Sequence, residues 1–220
     1  MRLRSMPAID ELIVENNRMP TLPARAFGAL RVSEGNDAHW NNGGSILKLN
    51  LFFQIGRLLL RNNGLESISR NAFAGLEDSL EELYIVEDKL VDFPFDSIEK
   101  LRNIEAFTIE KSKIRLLPKF NGLNRLKHVR IDGSLISSFP VGAFASMASI
   151  KQIHVVNSNL GSLAEGIFGP LETLVLANFS GNRIDLIQRR SFALLPKLEV
   201  SSSSSSYYSS ASFRVLLKCT

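Results

Sequence analysis

The chain has 220 residues, 45% of them hydrophobic and 22% charged, with a formal net charge of +4, all near the average of soluble globular domains. The basic excess is small and scattered, with no Lys/Arg cluster interleaved with aromatics, which excludes nucleic acid as a partner on charge grounds. No apolar run approaches the roughly 20 residues of a membrane-spanning helix, and a lone cysteine, Cys219, allows no intrachain disulfide.

Along the chain one frame of aliphatic, polar and aromatic positions recurs seven times. It begins as Ile9, Leu12, Val14, Asn17, Met19, Leu22, Phe27 and Leu30, and returns as Ile55, Leu58, Leu60, Asn63, Leu65, Ile68, Phe73 and Leu76. The third copy reads Leu80, Leu83, Ile85, Asp88, Leu90, Phe93, Ile98 and Leu101. The fourth, which is clipped, reads Ile104, Phe107, Ile109, Ser112, Ile114, Leu117, a displaced Phe120 and Leu123. Leu126, Val129, Ile131, Ser134, Ile136, Phe139, Phe144 and Met147 make the fifth, and Ile150, Ile153, Val155, Ser158, Leu160, Leu163, Phe168 and Leu171 the sixth. The seventh closes with Leu174, Ala177, Phe179, Asn182, Ile184, Ile187, Phe192 and Leu195.

A frame of this kind with a roughly 24-residue period is identified as that of the leucine-rich repeats. The fold expected is an α/β-type solenoid, a leucine-rich repeat horseshoe. Its concave side is a parallel sheet of about seven short strands, and its convex side is irregular or 3-10. Within each copy the first aliphatics bracket a strand whose alternate side chains point into the coil. The polar position, occupied by Asn17, Asn63, Asp88, Ser112, Ser134, Ser158 and Asn182, forms a ladder. There an inward side chain pairs backbone groups that would each cost roughly 1 to 3 kcal/mol if buried alone. A serine hydroxyl satisfies fewer groups than an amide, so the middle of the ladder is expected to be softer. Phe27, Phe73, Phe144, Phe168 and Phe192 fill the convex side.

Four segments follow from the frame: a first, uncapped repeat over 1–30, an insertion out of frame over 31–56, repeats two to seven with the start of an eighth over 57–200, and a low-complexity Ser-rich tail over 201–220. Removing Ser33 through Gln54 joins Val32 to Ile55 and restores the repeat spacing. The removed piece carries the only tryptophan, Trp40, and an alternating run, Leu47, Leu49, Leu51 and Phe53. It reads either as a loop or hairpin inserted at a repeat junction or as translated non-coding sequence. The tail, with Ser201 to Ser206, reads as a flexible linker to an anchor or partner domain or as a reading error where the eighth repeat should continue. The start, Met1-Arg2-Leu3-Arg4-Ser5-Met6-Pro7, has no continuous apolar secretion signal. Either the protein is cytosolic and capless, or the chain is a piece of a longer one, which the wet ends of an uncapped solenoid favour.

Constellations that carry chemistry are scarce: no phosphate loop, nucleophile elbow or paired metal-spaced cysteines is present. His128 and His154 fall on outward positions of adjacent strands, in diagonal reach near Asp132, and lack the third ligand or nucleophile that a metal site or triad needs. No enzyme activity, cofactor or metal is expected. Binding is expected through the outward strand positions of the concave face: Glu82, Tyr84, Glu87, Glu110, His128, Arg130 and His154, with Tyr84 and Arg130 as anchors and the acidic residues and His154 setting register. Asn178-Phe179-Ser180 is a glycosylation sequon, and a glycan on Asn178 would cover the C-terminal end of that face.

The Ala-Phe pairs Ala26-Phe27, Ala72-Phe73 and Ala143-Phe144 resemble the typical subtype of extracellular leucine-rich repeat proteins of the adhesion and receptor kind. That resemblance implies cysteine-rich caps, which are not found here. The stretches SLEELYIVEDKLVDFPFDSIEKL (79–101) and LKHVRIDGSLISSFPVGAF (126–144) resemble a divergent arthropod group known as the non-catalytic subunit of luciferin 2-monooxygenase. Together these resemblances imply a non-enzymatic, protein-binding module of a secreted or cell-surface protein. The partner is a protein ligand or receptor, with a glycan as a second class. Alternatives are a subunit that stabilises a separate enzyme, or a cytosolic scaffold.

Overall fold

A computed structural model describes residues 8–27, 54–198 and 216–218. The expectations for Met1 to Pro7, for the bulk of the insertion with Trp40, for the serine run and for Cys219 lie outside these residues.

The elements in chain order are β1 (Ala8–Glu15), β2 (Thr21–Leu22), β3 (Gln54–Arg61), β4 (Ser67–Ile68), β5 (Glu82–Val86), α1 (Phe95–Ile98), β6 (Ala106–Glu110), β7 (His128–Asp132), β8 (Gln152–Val156), β9 (Ser162–Leu163), β10 (Leu176–Asn178), β11 (Leu186–Ile187) and β12 (Leu216–Lys218). The main sheet runs β1-β3-β5-β6-β7-β8-β10-β12. Its first seven strands are parallel, and β12 joins β10 antiparallel. Two small parallel pairs, β2 with β4 and β9 with β11, link coils on the far side of the turn. This is a leucine-rich repeat solenoid with little helix, and its convex wall is built from turns and the four residues of α1.

Register explains the stacking. Leu12, Leu58, Leu83, Phe107, Val129, Ile153 and Ala177 pair in one row, and Val14, Leu60, Ile85, Ile109, Ile131 and Val155 in a second, all pointing inward. Nearly every member is buried, each contributing roughly 1.5 to 3 kcal/mol for the larger side chains. Because the side-chain period of a strand is two, a slip of one residue would turn both rows out to water.

Coil one lies directly on coil two. Ala8 pairs with Gln54 and Glu15 with Arg61, and the Phe27 and Phe73 rings stack 6.4 Å apart. The boundary placed at residue 56 is corrected: β3 begins at Gln54, so residues 54–56 belong to the sheet. Within the tail, the Leu216–Lys218 segment forms a strand on the edge of β10. Serine side chains bury too little to fold, but an apolar segment beyond them can pair with an open sheet edge.

On the convex side the rings continue from Phe73 to Phe93 at 6.4 Å, Phe93 to Phe95 at 4.9 Å, Phe95 to Phe120 at 5.6 Å, Phe120 to Phe144 at 6.4 Å, Phe144 to Phe168 at 5.7 Å and Phe168 to Phe192 at 5.5 Å. The third copy carries Ile98 where the others carry Phe, and Phe95 of α1 bridges the gap. In the last described coil Ile187 is 37% exposed, whereas Leu163, its register partner one coil earlier, is fully buried.

The ladder departs from its expected course at the third copy. Asn63 is fully buried and donates through Nδ2 to the Val14 carbonyl at 2.8 Å. Its partner on the other side is not Asp88, which is exposed, but Glu87, which is fully buried. The Glu87 carboxylate accepts from the Asn63 N–H at 2.8 and 3.0 Å, from Asn63 Nδ2 at 2.9 Å and from the Leu65 N–H at 3.1 Å. A difference in backbone accounts for the exchange. The residue before each other ladder position is left-handed: Asn16 (φ 58), Asn62 (52), Lys111 (59), Gly133 (67), Asn157 (50) and Gly181 (73). Glu87 is not left-handed, so its side chain turns inward one residue early and the longer Glu reaches the amides. Gly181 is fixed twice over, because a Cβ there would also collide with Asn157 Oδ1.

Beyond Glu87 the ladder thins. Ser112 Oγ is buried with no partner; Ser134 Oγ and Ser158 Oγ bond each other at 2.8 Å, Ser134 Oγ accepts from the Ile136 N–H at 3.3 Å, and Ser158 Oγ accepts from the Ser134 N–H at 3.3 Å and donates to the Val156 carbonyl at 3.1 Å; Asn182 restores amide bonding to the Val155 and Phe179 carbonyls at 2.6 and 2.9 Å.

Two stability measurements follow. Phe144→Ala removes a fully buried ring in contact with Phe120, Phe139 and Phe168 and should cost about 3–5 kcal/mol in denaturant unfolding; a loss within about 1 kcal/mol would contradict the continuous ring stack. Glu87→Ala strips the acceptor from three N–H groups and should cost about 3–5 kcal/mol, whereas Asp88→Ala should stay within about 0.5 kcal/mol; the opposite ranking would return the ladder to Asp88.

Candidate functional site

Alternation along each strand sends three rows of side chains to the outward side of the sheet, with Val86 and Val156 of the third row covered. The middle row, in register, is Ile13, Leu59, Tyr84, Thr108, Arg130, His154 and Asn178. On one side of it run Glu11, Arg57, Glu82, Ala106, His128, Gln152 and Leu176, and on the other Glu15, Arg61, Val86, Glu110, Asp132 and Val156. Neighbouring strands stand about 4.8 Å apart, so each row is a continuous line of contacts.

The face divides into two parts. At the N-terminal end Ile13 is 49% exposed and Leu59 and Tyr84 are half-buried, giving an apolar line. Beside it Arg57 sits between two acids: its Nε donates to Glu82 Oε2 at 2.7 Å, its Nη2 to Glu82 Oε1 at 3.1 Å and its Nη1 to Glu11 Oε1 at 3.5 Å. These exposed pairs add little stability, but the two-pronged grip on Glu82 fixes where the charges stand.

In the centre the groups are polar and partly buried. Arg130 Nε donates to Glu110 Oε1 at 3.2 Å and its Nη2 donates to Asp132. Asn157 Nδ2 donates to Asp132 Oδ1 at 2.8 Å. Burial first, then the Glu110 carboxylate, pushes the Tyr84 phenol up to about 12, so Tyr84 stays a neutral donor throughout the physiological range. His154, directly across from Arg130, has a buried Nδ1 with no hydrogen-bond partner, and its Nε2 lies 3.5 Å from Gln152 Oε1. Burial, then the charges of Arg130 and His128, hold the imidazole below its usual range.

Of the face residues expected from sequence, Glu82, Tyr84, Glu110, His128, Arg130 and His154 stand on the outward side, and Glu87 does not, because it serves the ladder. Arg130 is not a free anchor, since two carboxylates already occupy it. The charges of the face stand as mutually neutralised pairs, Arg57 with Glu82 and Glu11, and Arg130 with Glu110 and Asp132. The apolar pair Ile13 and Leu59 was not singled out from sequence. The signal was present in the frame once the insertion is removed, which aligns Ile13, Leu59 and Tyr84 at the same strand position. His128 and His154 lie diagonally on adjacent strands, and among the described residues no three His, Cys, Asp or Glu side chains gather around a common point. Among the same residues no helix is long and apolar enough to cross a membrane.

The depressed His154 has a readable consequence. Above the ordinary value of about 6.5 both folded and unfolded chains carry it neutral. As pH falls below 6.5 the unfolded chain takes the proton first, so stability drops until the folded imidazole also titrates. The NMR resonance removed by His154→Gln should have a midpoint below 6.5, and the loss of stability on acidification from pH 7 should be shallower in that variant. A midpoint at or above 6.5 would mean that His154 is solvated.

No family model matches the chain. Toll-like receptor 7 of Drosophila melanogaster is 26% identical over 186 residues, which cover 80% of this chain and 12% of the receptor, so the chain spans about an eighth of that relative's length. Among solved structures, the crystal structure of a TLR13–ssRNA13 complex is similar with a TM-score of 0.49 and 19% identity, over 65% of this chain and 24% of that one. This neighbour corrects the exclusion of nucleic acid. That neighbour is a complex with single-stranded RNA, and the exclusion of nucleic acid is withdrawn. At this level of similarity the likeness carries no argument about what the present chain binds. The seven-fold frame, the parallel coil that it builds and the receptor relative together identify the chain as a leucine-rich repeat protein.

Proposed function

We propose that the chain is a non-enzymatic recognition module that binds a protein partner through the concave face of its sheet, within a secreted or cell-surface protein. The observation that carries this reading is the N-terminal part of the face. The apolar line Ile13–Leu59–Tyr84 is open to solvent and bordered by the fixed Glu11–Arg57–Glu82 charges. An apolar centre with a polar rim is the layout in which a few side chains dominate binding energy, and a tyrosine with its hydroxyl held neutral supplies both area and a hydrogen bond.

The central cluster suits selection better than affinity. Glu110, Arg130 and Asp132 already satisfy one another, so a partner must present groups that fit around them or leave them unpaired at a cost. The relative named as a receptor supports recognition as the role. A second reading, a non-catalytic subunit that stabilises a separate enzyme, rests on the texture of residues 79–101 and 126–144 and uses the same face.

Tyr84→Ala should weaken a partner captured on the immobilised chain by at least about tenfold, and Ile13→Ala by several-fold. Leu116→Ala, at an exposed position away from the sheet, should leave the affinity unchanged. Equal affinity for the wild type and Tyr84→Ala would move binding off the concave face.

A further inference from the structure

The last position of the middle row is Asn178, the acceptor of the single sequon, and its geometry goes beyond the motif. Asn178 ends β10, half-buried, and the following Phe179 is fully buried, so the backbone is pinned where the strand stops. The Asn178 side-chain oxygen accepts from the Ser180 N–H at 3.0 Å and from the Ser180 hydroxyl at 2.7 Å. Both Ser180 donors therefore hold one end of the carboxamide and leave its Nδ2 to the solvent side of the face. Asn178 pairs in register with Leu216 across the antiparallel edge.

We infer that Asn178 is an N-glycosylation site whose glycan shields the C-terminal part of the concave face and leaves the Ile13–Leu59–Tyr84 line as the docking surface. This rests on the extracellular part of the proposed function. The donor class is an oligosaccharide joined through its anomeric carbon to a lipid pyrophosphate. The Asn178 Nδ2 forms the new bond to that carbon, the carbon–oxygen bond to the phosphate breaks, the lipid pyrophosphate leaves with the bonding electrons, and Nδ2 gives up one proton. No redox partner is needed. Asn178 pairs in register with His154, so a sugar on Nδ2 stands over the imidazole and reaches the Arg130 cluster one strand further. Tyr84 lies two strands beyond Arg130.

The test is expression of the full chain behind a cleavable secretion signal in a eukaryotic cell, followed by peptide mass analysis before and after an amidase that releases N-linked glycans and leaves Asp in place of Asn. The expected result is a glycan on Asn178 in most molecules, absent in Asn178→Gln and Ser180→Ala and kept in Ser180→Thr. Imidazole labelling with diethylpyrocarbonate should then be several-fold lower at His154 in the glycosylated form than in the amidase-treated form. An unmodified Asn178 in signal-cleaved protein overturns the inference, and equal labelling of His154 overturns the shielding. Because the added signal imposes the secretory route, neither result touches the recognition reading, which stands or falls on Tyr84→Ala.

Discussion

A chain that leaves a buried strand carries backbone amides into the core, and they must be paired there or cost roughly 1 to 3 kcal/mol each. In this solenoid most coils meet that demand with a side chain at the turn that follows the strand. Asn63 bonds back to coil one and forward to Glu87, so a single amide ties three consecutive coils. When a carboxylate takes the role in the third coil, the turn changes hand locally, yet the paired rows keep their register.

Much of this is legible in the sequence. Period and residue type alone place the inward rows, because burial selects the same aliphatic positions in every copy and strand geometry fixes which face they take. The exchange of Asp88 for Glu87 is not legible, because both are acids, adjacent, and allowed by the frame. What decides between them is a backbone angle and a difference of one methylene in reach. Phe95 escapes notice for a related reason: it lies outside the frame and enters the ring stack only because the Phe-Pro-Phe turn (93–95) swings it to the space that Ile98 leaves. Charge pairs across strands, such as Arg57 with Glu82, need the register, and the insertion hides the register between the first two copies until it is excised.

The outward face shows how one sheet can carry two surfaces of different character. Where the middle row is aliphatic and aromatic, the flanking charges are exposed and mutually fixed. Where it becomes Arg130 and His154, the carboxylates turn toward the row and are largely covered. Association with a partner has to desolvate one or the other. The first gains free energy from apolar area, while the second costs it unless every polar group finds a partner. Sequence can list the residues of both surfaces, but only the pairing distances tell them apart.

The register between coils one and two joins residues 46 apart, whereas the ladder step from Asn63 to Glu87 spans 24. The entropy of closing a loop rises only with the logarithm of its length, so nearly doubling this one costs about 0.6 kcal/mol, less than a single buried methylene contributes. The junction is therefore a port: added chain there is almost invisible to the thermodynamics of the stack. A guest sequence, even a small folded domain with neighbouring ends, could be carried at this point while the coils on either side close as before.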